Sequence, residues 1–344
     1  MRAIWITRHG GPEVLQVREA PDPEPGPQEV RIRVKACGLN FAEVSARQGL
    51  YPDAPKPPCV VGYEGAGDID KLGSEVRELA PGMRVTFMKK FGAHADCVCV
   101  PAELVLPIPP SMRYEQGAAL PVVYMTAYHL LFRIARVRTG DSVLIHMAAG
   151  GVGTALLQLC RSIGKITTFG TCSASKHDYA RAQGCEHPID YHTRDYVEEV
   201  RRLNEGRGVD YVFDPLGGAD WKKGYGLLRE SGLLVCYGMA NVAQPGKRNL
   251  LRALATVVQV PRFNAMRMMG ENKGVAGLNL GHLWHRADML RAEFLELLRL
   301  FEQGLIEPHI DSVFPFTQAA EAHARLEYGK NLGKVILVPE LPAA

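Results

Sequence analysis

Through the first hundred residues, apolar and polar positions alternate with a period of two in short runs broken by Pro and Gly. Glu29-Val30-Arg31-Ile32-Arg33-Val34-Lys35-Ala36 and Ala93-His94-Ala95-Asp96-Cys97-Val98-Cys99-Val100 are two such runs. That period sends successive side chains to opposite faces and predicts a β-rich region from Arg2 to about Val105. From about Tyr114 to Gly304 the pattern changes. Short apolar runs, Ser142 to His146, Ile166 to Gly170, Val209 to Asp214 and Leu233 to Tyr237, are separated by helical stretches. Alternation of that kind predicts a doubly wound parallel sheet. The tail, with Val313 to Phe316, a helix around Thr317 to Leu326 and a strand Lys334 to Val338, returns to the character of the first region. The expected fold is α/β: a β-rich domain of residues 1–118 and 308–344, and a parallel-sheet domain of residues 119–307.

Composition narrows the class. At 344 residues, 47% of them hydrophobic, the chain exceeds one typical core and suits two domains. A net charge of +3 with both signs interspersed gives no basic stripe of the kind nucleic acid requires. Arg248, Arg252, Arg262 and Arg267 are locally basic and read as solvated or as the rim of a dimer. Two uncharged runs, Gln116 to Phe132 and Ser142 to Cys160, are interrupted by Pro121 and by a glycine turn, so both read as core rather than as membrane spans. Eight scattered cysteines in a chain of this length suit reduced thiols and a cytoplasmic setting. The strand-like start Arg2-Ala3-Ile4-Trp5-Ile6 does not look like a secretion signal.

The chemistry-bearing segment is Ser142-Val143-Leu144-Ile145-His146-Met147-Ala148-Ala149-Gly150-Gly151-Val152-Gly153. It reads as a buried strand, a glycine turn and the start of a helix, with Ala148, Gly150 and Gly153 at the spacing that lets backbone approach a diphosphate. The helix N-terminus then offers unpaired N–H groups and a positive dipole end to the phosphates. An ordinary glycine turn in another alternating α/β protein is the competing reading. About twenty residues on, a site for the unphosphorylated dinucleotide would place Asp or Glu on the ribose. Here stand Thr171-Cys172-Ser173-Ala174-Ser175-Lys176, with no carboxylate before Asp178. Small hydroxyls and a cation favour a 2′-phosphate, hence NADP(H) over NAD(H). Alternatively, Ser173 caps a helix and Lys176 is simply solvated.

Several motifs together resemble the medium-chain dehydrogenase/reductase superfamily, in its zinc-free quinone oxidoreductase type. They are Cys37-Gly38-Leu39-Asn40-Phe41-Ala42, Gln48-Gly49-Leu50-Tyr51, Gly62-Tyr63-Glu64-Gly65-Ala66-Gly67, Met125-Thr126-Ala127-Tyr128, Ala149-Gly150-Gly151-Val152-Gly153 and Asn331-Leu332-Gly333-Lys334-Val335. Within it, His146-Met147-Ala148-Ala149-Gly150-Gly151-Val152-Gly153, Ser173-Ala174-Ser175-Lys176-His177, Asp214-Pro215-Leu216-Gly217-Gly218 and Tyr237-Gly238-Met239-Ala240-Asn241 are most similar to the vesicle amine transport protein branch. The resemblance implies a GroES-like catalytic domain followed by a Rossmann domain, with a cofactor cleft between them.

Zinc-dependent relatives need three ligands. Cys37 is present, but Tyr63 takes the histidine position and Val122 that of the second cysteine, so no metal site is expected. Cys37 itself reads as a small buried residue. The resemblance gives catalytic roles to Asn40, beside the nicotinamide ribose, and to Tyr51, at the substrate mouth. The residues alone leave Asn40 open, because Asn40-Phe41-Ala42-Glu43 is also a capping-box pattern. Ser45 stands where some relatives carry a second tyrosine.

By the same resemblance Thr126, Gly238 and Met239 face the nicotinamide, Tyr191 flanks the adenosine phosphate, and Leu278 and Asn331 join Ala149, Gly150, Gly151, Val152, Gly153, Ser173 and Lys176 in holding the cofactor. The strand at 274–280 is implied to pair across a homodimer axis, removing an exposed edge. Met266 to Met269 reads as adaptable packing near the cleft. The expectation is a reductase passing hydride from NADPH to a quinone or other α,β-unsaturated carbonyl. The alternatives are an enoyl-thioester reductase, which Ser45 disfavours, and a nucleotide-binding interaction protein at a membrane surface or on RNA. Neither nucleic-acid binding nor stable membrane insertion is expected.

Overall fold

The computed structural model describes residues 1–340 apart from 244 and 247. The chain divides into two compact units: Met1–Met125 with the segment from Gly281 onward and a short stretch around Gly246, and Thr126–Ala243 with Asn249–Leu280.

In the first unit the long strand Glu29–Leu39 is central. Its buried positions alternate up to Val34 and become continuous from Ala36, where both faces are covered. It pairs antiparallel with Glu64–Leu72, Cys97–Pro101 and Lys334–Val338. Ile310–Pro315 then adds in parallel beside the C-terminal strand, so the tail does return to this sheet. Ala118 and Ala119 of the helix Tyr114–Ala119 pack with Ala36, Ala66, Ile336 and Val338 in one buried cluster. Small side chains are required there. A Cβ on Gly38 would lie 2.4 Å from Glu64 Oε1 and 2.6 Å from the Ala118 carbonyl.

The segment 281–307, grouped by its pattern with the second domain, lies in the first unit. The helix Ala287–Glu302 buries Leu290, Phe294 and Leu297, packs on the Ala102–Leu104 turn, and donates from Arg291 to the Val105 carbonyl at 3.2 Å. Periodicity reveals such an apolar face but not which core receives it.

The second unit carries six parallel strands, here β1 (Ser142–Ile145), β2 (Thr167–Thr171), β3 (His187–Ile189), β4 (Val209–Asp214), β5 (Leu228–Cys236) and β6 (Gly274–Gly277). Their spatial order is β3-β2-β1-β4-β5-β6. Order reverses between β1 and β4, and in open α/β sheets the ligand crevice forms outside the carboxyl ends at that switch point. Helix α1 (Gly151–Ile163) leaves β1 through the glycine turn. Leu144, Phe169, Val209, Val212 and Leu234 belong to the buried core of the sheet.

Helix α2 (Leu250–Val258) behaves differently. It buries Thr256 and exposes Leu250, Leu251, Leu254, Val257 and Val258. Met266 and Met269 are exposed as well, which corrects their reading as packing residues, while Met268 packs against the sheet core.

Candidate functional site

In the second unit the turn between β1 and α1 is held from the neighbouring strand. The Thr171 carbonyl accepts from Ala148 N at 3.0 Å and its Oγ1 from Met147 N at 3.3 Å. Met147 sits in the left-handed region with φ +54°, and its carbonyl accepts from Gly150 N at 2.9 Å. A Cβ on Gly153 would come within 2.4 Å of that same carbonyl and 2.6 Å of Ala148 Cα, so only glycine lets the helix start this close. Gly150 is the N-cap and has no side chain to offer, so the N–H groups of Gly151, Val152 and Gly153 have no partner within the helix. With no acidic residue in the first turn and Ala149 buried beneath, this is an anion-accepting cradle.

At the end of β2 the chain turns through Ala174–Lys176, where Lys176 N donates to the Ser173 carbonyl at 2.9 Å. That turn leaves the Ser173 hydroxyl 3.4 Å from the Ser175 hydroxyl, with Lys176 beside them in sequence. The nearest following carboxylate in the chain, Asp178, is exposed and bonded to Arg181 at 3.1 Å. The loop thus gathers two hydroxyls with no carboxylate between Ser173 and Lys176. Tyr191, beyond the end of β3, is 53% exposed and packs its ring on His192.

Gly238 and Met239 follow β5. A Cβ on Gly238 would meet the Pro215 carbonyl at 2.9 Å, and Ala240 N and Asn241 N donate to Pro215 and Leu216, which docks this segment onto the loop after β4. Leu278 follows β6 and donates its N–H to Cys236 at 2.9 Å. Thr126 is buried on the helix Pro121–Tyr128. The predicted turn, phosphate, Tyr191, Gly238, Met239 and Leu278 positions thus all follow carboxyl ends of one parallel sheet.

Pattern reading passed over the polar residues that end these strands, His146, Thr171 and Asp214, and the Asp220 and Asn241 side chains that meet at 2.9 Å. A polar residue closing an apolar strand run was the available signal.

In the first unit Asn40 is 8% exposed and engaged at both ends of its amide. Its Oδ1 accepts from Lys334 Nζ, and its Nδ2 donates to Glu64 Oε1 at 2.8 Å. Lys334 Nζ lies 2.6 Å from Glu64 Oε1, and Glu64 Oε2 accepts from Val122 N at 2.6 Å. Glu43 returns to Asn40 N at 2.8 Å, the carboxylate half of the box pattern. Desolvation pushes the Glu43 carboxyl up to about 8, with the neighbouring Glu64 adding to the effect and Lys334 opposing it. Burial holds His94 down at about 4; its Nε2 is 3.2 Å from the Gly38 carbonyl. The box pattern marks Glu43 as a partner of Asn40, but nothing in the sequence marks Glu64 or Lys334.

Tyr51 is half-buried against the cluster containing Ile6, Val14, Ala46, Cys59 and Val61. Asn331 is buried and its amide donates to the Gly333 carbonyl at 2.8 Å, shaping the turn into the Lys334 strand.

The fold, the glycine cradle and the strand order define a nicotinamide-type oxidoreductase architecture, and the chain belongs to the medium-chain dehydrogenase/reductase family. Residues 26–110 match the alcohol dehydrogenase GroES-like domain and residues 183–337 the zinc-binding dehydrogenase domain. The chain is 45% identical over 341 residues to the human synaptic vesicle membrane protein VAT-1 homolog, covering 98% of this chain and 86% of that protein. It is 32% identical to a quinone oxidoreductase of Pseudomonas aeruginosa, over 98% and 99% of the two chains. Among solved structures, the Escherichia coli quinone oxidoreductase complexed with NADPH superposes with a TM-score of 0.87 at 28% identity, covering 98% of this chain and 100% of that one.

A zinc ion of the kind the matched domain's description implies would need three protein ligands. The Cys37 thiol is fully buried, donates to the Ala93 carbonyl at 3.0 Å, and is pushed well above its usual range by desolvation. Among the described residues no three His, Cys, Asp or Glu side chains gather as a ligand group. The residues do not fit zinc. Among the described residues, no helix is long and apolar enough to cross a membrane.

Proposed function

We propose that this protein is a zinc-independent, NADPH-linked reductase of quinones or related α,β-unsaturated carbonyl compounds. The observation that carries the reading is the loop after β2: two adjacent hydroxyls, Ser173 and Ser175, and Lys176, placed one strand over from the glycine cradle. Phosphate on the ribose turns a neutral sugar into a dianionic ligand, which hydroxyls and an ammonium stabilise and a carboxylate would repel. When bound, the reduced cofactor supplies a hydride from nicotinamide C4.

The chain's own residues then bind and orient. Gly151, Val152 and Gly153 N–H groups would hold the diphosphate, with Ala149 and Gly150 shaping the turn. Ser173 and Lys176 would hold the ribose phosphate, with Tyr191 at its flank. Thr126, Gly238, Met239, Leu278 and Asn331 are the proposed contacts toward the nicotinamide half. Asn40, its amide fixed from behind by Lys334 and Glu64, is proposed to orient the ribose, and Tyr51 to offer a hydroxyl to the acceptor oxygen. Orientation in a water-poor site carries most of the acceleration such a transfer needs from protein. The eight free cysteines, seven of them buried, support a reducing compartment such as the cytoplasm.

The test is NADPH oxidation followed at its absorbance maximum with a panel of quinones, enones and enoyl thioesters. Turnover of quinones or enones is expected. Turnover confined to enoyl thioesters would move the protein to that reductase class, and none with any acceptor would remove the enzyme reading.

A second reading is favoured by α2. Between Glu230 and Glu271 the sequence has Lys247, Arg248, Arg252, Arg262 and Arg267 and no acidic residue, and the exposed leucines and valines of α2 lie within that stretch. An exposed apolar helix face among cations suits an anionic lipid surface. It equally invites a second copy of the chain, with β6 as the sheet edge that would pair. Reversing Arg248, Arg252 and Arg262 to Glu should abolish sedimentation with phosphatidylserine vesicles if the membrane reading holds, and leave a dimer in solution if only self-association does.

A further inference from the structure

Three adjacent strands of the second unit end in polar side chains that stand in one line. Thr171 closes β2, His146 follows β1, and Asp214 closes β4. His146 Nδ1 is 3.0 Å from Thr171 Oγ1, and His146 Nε2 is 3.9 Å from Asp214 Oδ2. The imidazole and the carboxylate are both buried, at 1% and 0% exposure. Neither Nε2 nor Oδ2 has a hydrogen-bond partner among the described residues. Each strand end leads directly into one of three loops: the Ser173–Lys176 turn, the glycine cradle, and the Pro215–Gly218 loop.

We propose that His146, held as the neutral Nε2–H tautomer, is a positioning residue that locks these three loops together for cofactor binding. This rests on the NADPH reading above.

The tautomer follows from hydrogen-bond arithmetic. Met147 N–H fills one lone pair of Thr171 Oγ1, and the hydroxyl's own proton finds an acceptor within reach at Nδ1, whereas an Nδ1–H aimed at the second lone pair would leave that proton without this partner. The remaining ring proton then sits on Nε2 and points at Asp214. The opposite tautomer would set a bare nitrogen lone pair against a buried carboxylate, which is repulsive. At 3.9 Å the Nε2–H and Oδ2 are too far apart for a hydrogen bond but close enough for charge–dipole attraction at low dielectric.

What this line holds in place is specific. Thr171 fixes Met147, the left-handed residue on which the crowding of Gly153 depends. Asp214 Oδ1 accepts from Leu216 N at 2.6 Å and Gly217 N at 3.2 Å, and so shapes the third loop. Tyr196 packs its ring edge-on to the imidazole at 4.7 Å and keeps it from rotating. None of these side chains needs to touch the cofactor for the arrangement to matter.

The test combines two readouts. On the apo protein, 15N shifts of selectively labelled histidine should show a protonated Nε2 and an unprotonated Nδ1 for the resonance that His146→Phe removes. In titrations, His146→Phe should weaken NADPH binding about tenfold, the worth of one lost orienting hydrogen bond. Its apo melting temperature should change little, because phenylalanine leaves the Thr171 hydroxyl unpaired but also removes an unpaired buried nitrogen. His146→Gln, which can accept from Thr171 and donate toward Asp214, should restore most of the affinity. A protonated Nδ1, or a His146→Phe protein that binds NADPH as the parent does, overturns the proposal. So does affinity lost only in step with melting temperature, the mark of a purely structural residue. Failure of the unsubstituted protein to bind NADPH would instead strike the functional reading, and the cofactor role of His146 with it, whatever the tautomer.

Discussion

Lys334 and Glu64, 270 residues apart in sequence, meet at 2.6 Å with both side chains buried, and Asn40 is clamped between them. The pair is a case in which removing one charge costs more than removing both. Lys334→Met should destabilise by about 3–5 kcal/mol, and Glu64→Gln with Lys334→Met together by clearly less. Denaturant unfolding of the two variants measures the difference. Equal losses would mean the ammonium and carboxylate are not a coupled unit.

Glu43 gives stability a pH dependence whose sign is fixed. Its folded carboxyl titrates near 8, against about 4.5 when solvated, because burial disfavours the charge. Between those values only the folded state keeps the proton, so stability falls by up to about 1.4 kcal/mol per pH unit as pH rises. His94, with a folded value near 4 against 6.5, acts in the opposite sense up to about pH 6.5. The net decline therefore shows from about pH 6.5 to 8. Glu43→Gln mimics the protonated form and should flatten the unfolding free energy across that window. An unchanged slope would remove Glu43 as its source.

Two glycines of one turn should respond unequally. A methyl on Gly153 meets backbone atoms at 2.4 and 2.6 Å, whereas on Gly150 the nearest atom is 3.2 Å away. Gly153→Ala should lower NADPH affinity at least about tenfold, and Gly150→Ala by less. Calorimetric titration of both variants checks the order, and a reversal would mean that crowding at Gly153 does not set the turn.

Much of this was legible beforehand. The glycine turn, its strand and the parallel sheet are local patterns, and local patterns survive without tertiary knowledge. Of the partners of Asn40 only Glu43 is legible, through the local box pattern; Lys334 lies 294 residues away and nothing near either residue marks the pairing. Likewise His146, Thr171 and Asp214 become neighbours only once β2, β1 and β4 lie side by side. Helix α2 is illegible for another reason: an apolar stripe reads the same whether it faces a core or points outward, and here it points outward.

Lys176 should decide between coenzymes. Lys176→Ala is expected to cost about tenfold in NADPH affinity while leaving NADH affinity nearly unchanged, because only NADPH brings the extra phosphate that an ammonium attracts. Equal losses for both would show that Lys176 supports the loop and not the phosphate.

The most direct measurement is calorimetric titration of the unsubstituted protein with NADPH and with NADH under identical conditions. One molecule of NADPH per chain should bind, about tenfold or more tighter than NADH. No saturable binding, or a preference for NADH, would contradict the claim that the loop of Ser173 and Lys176 receives a phosphorylated ribose.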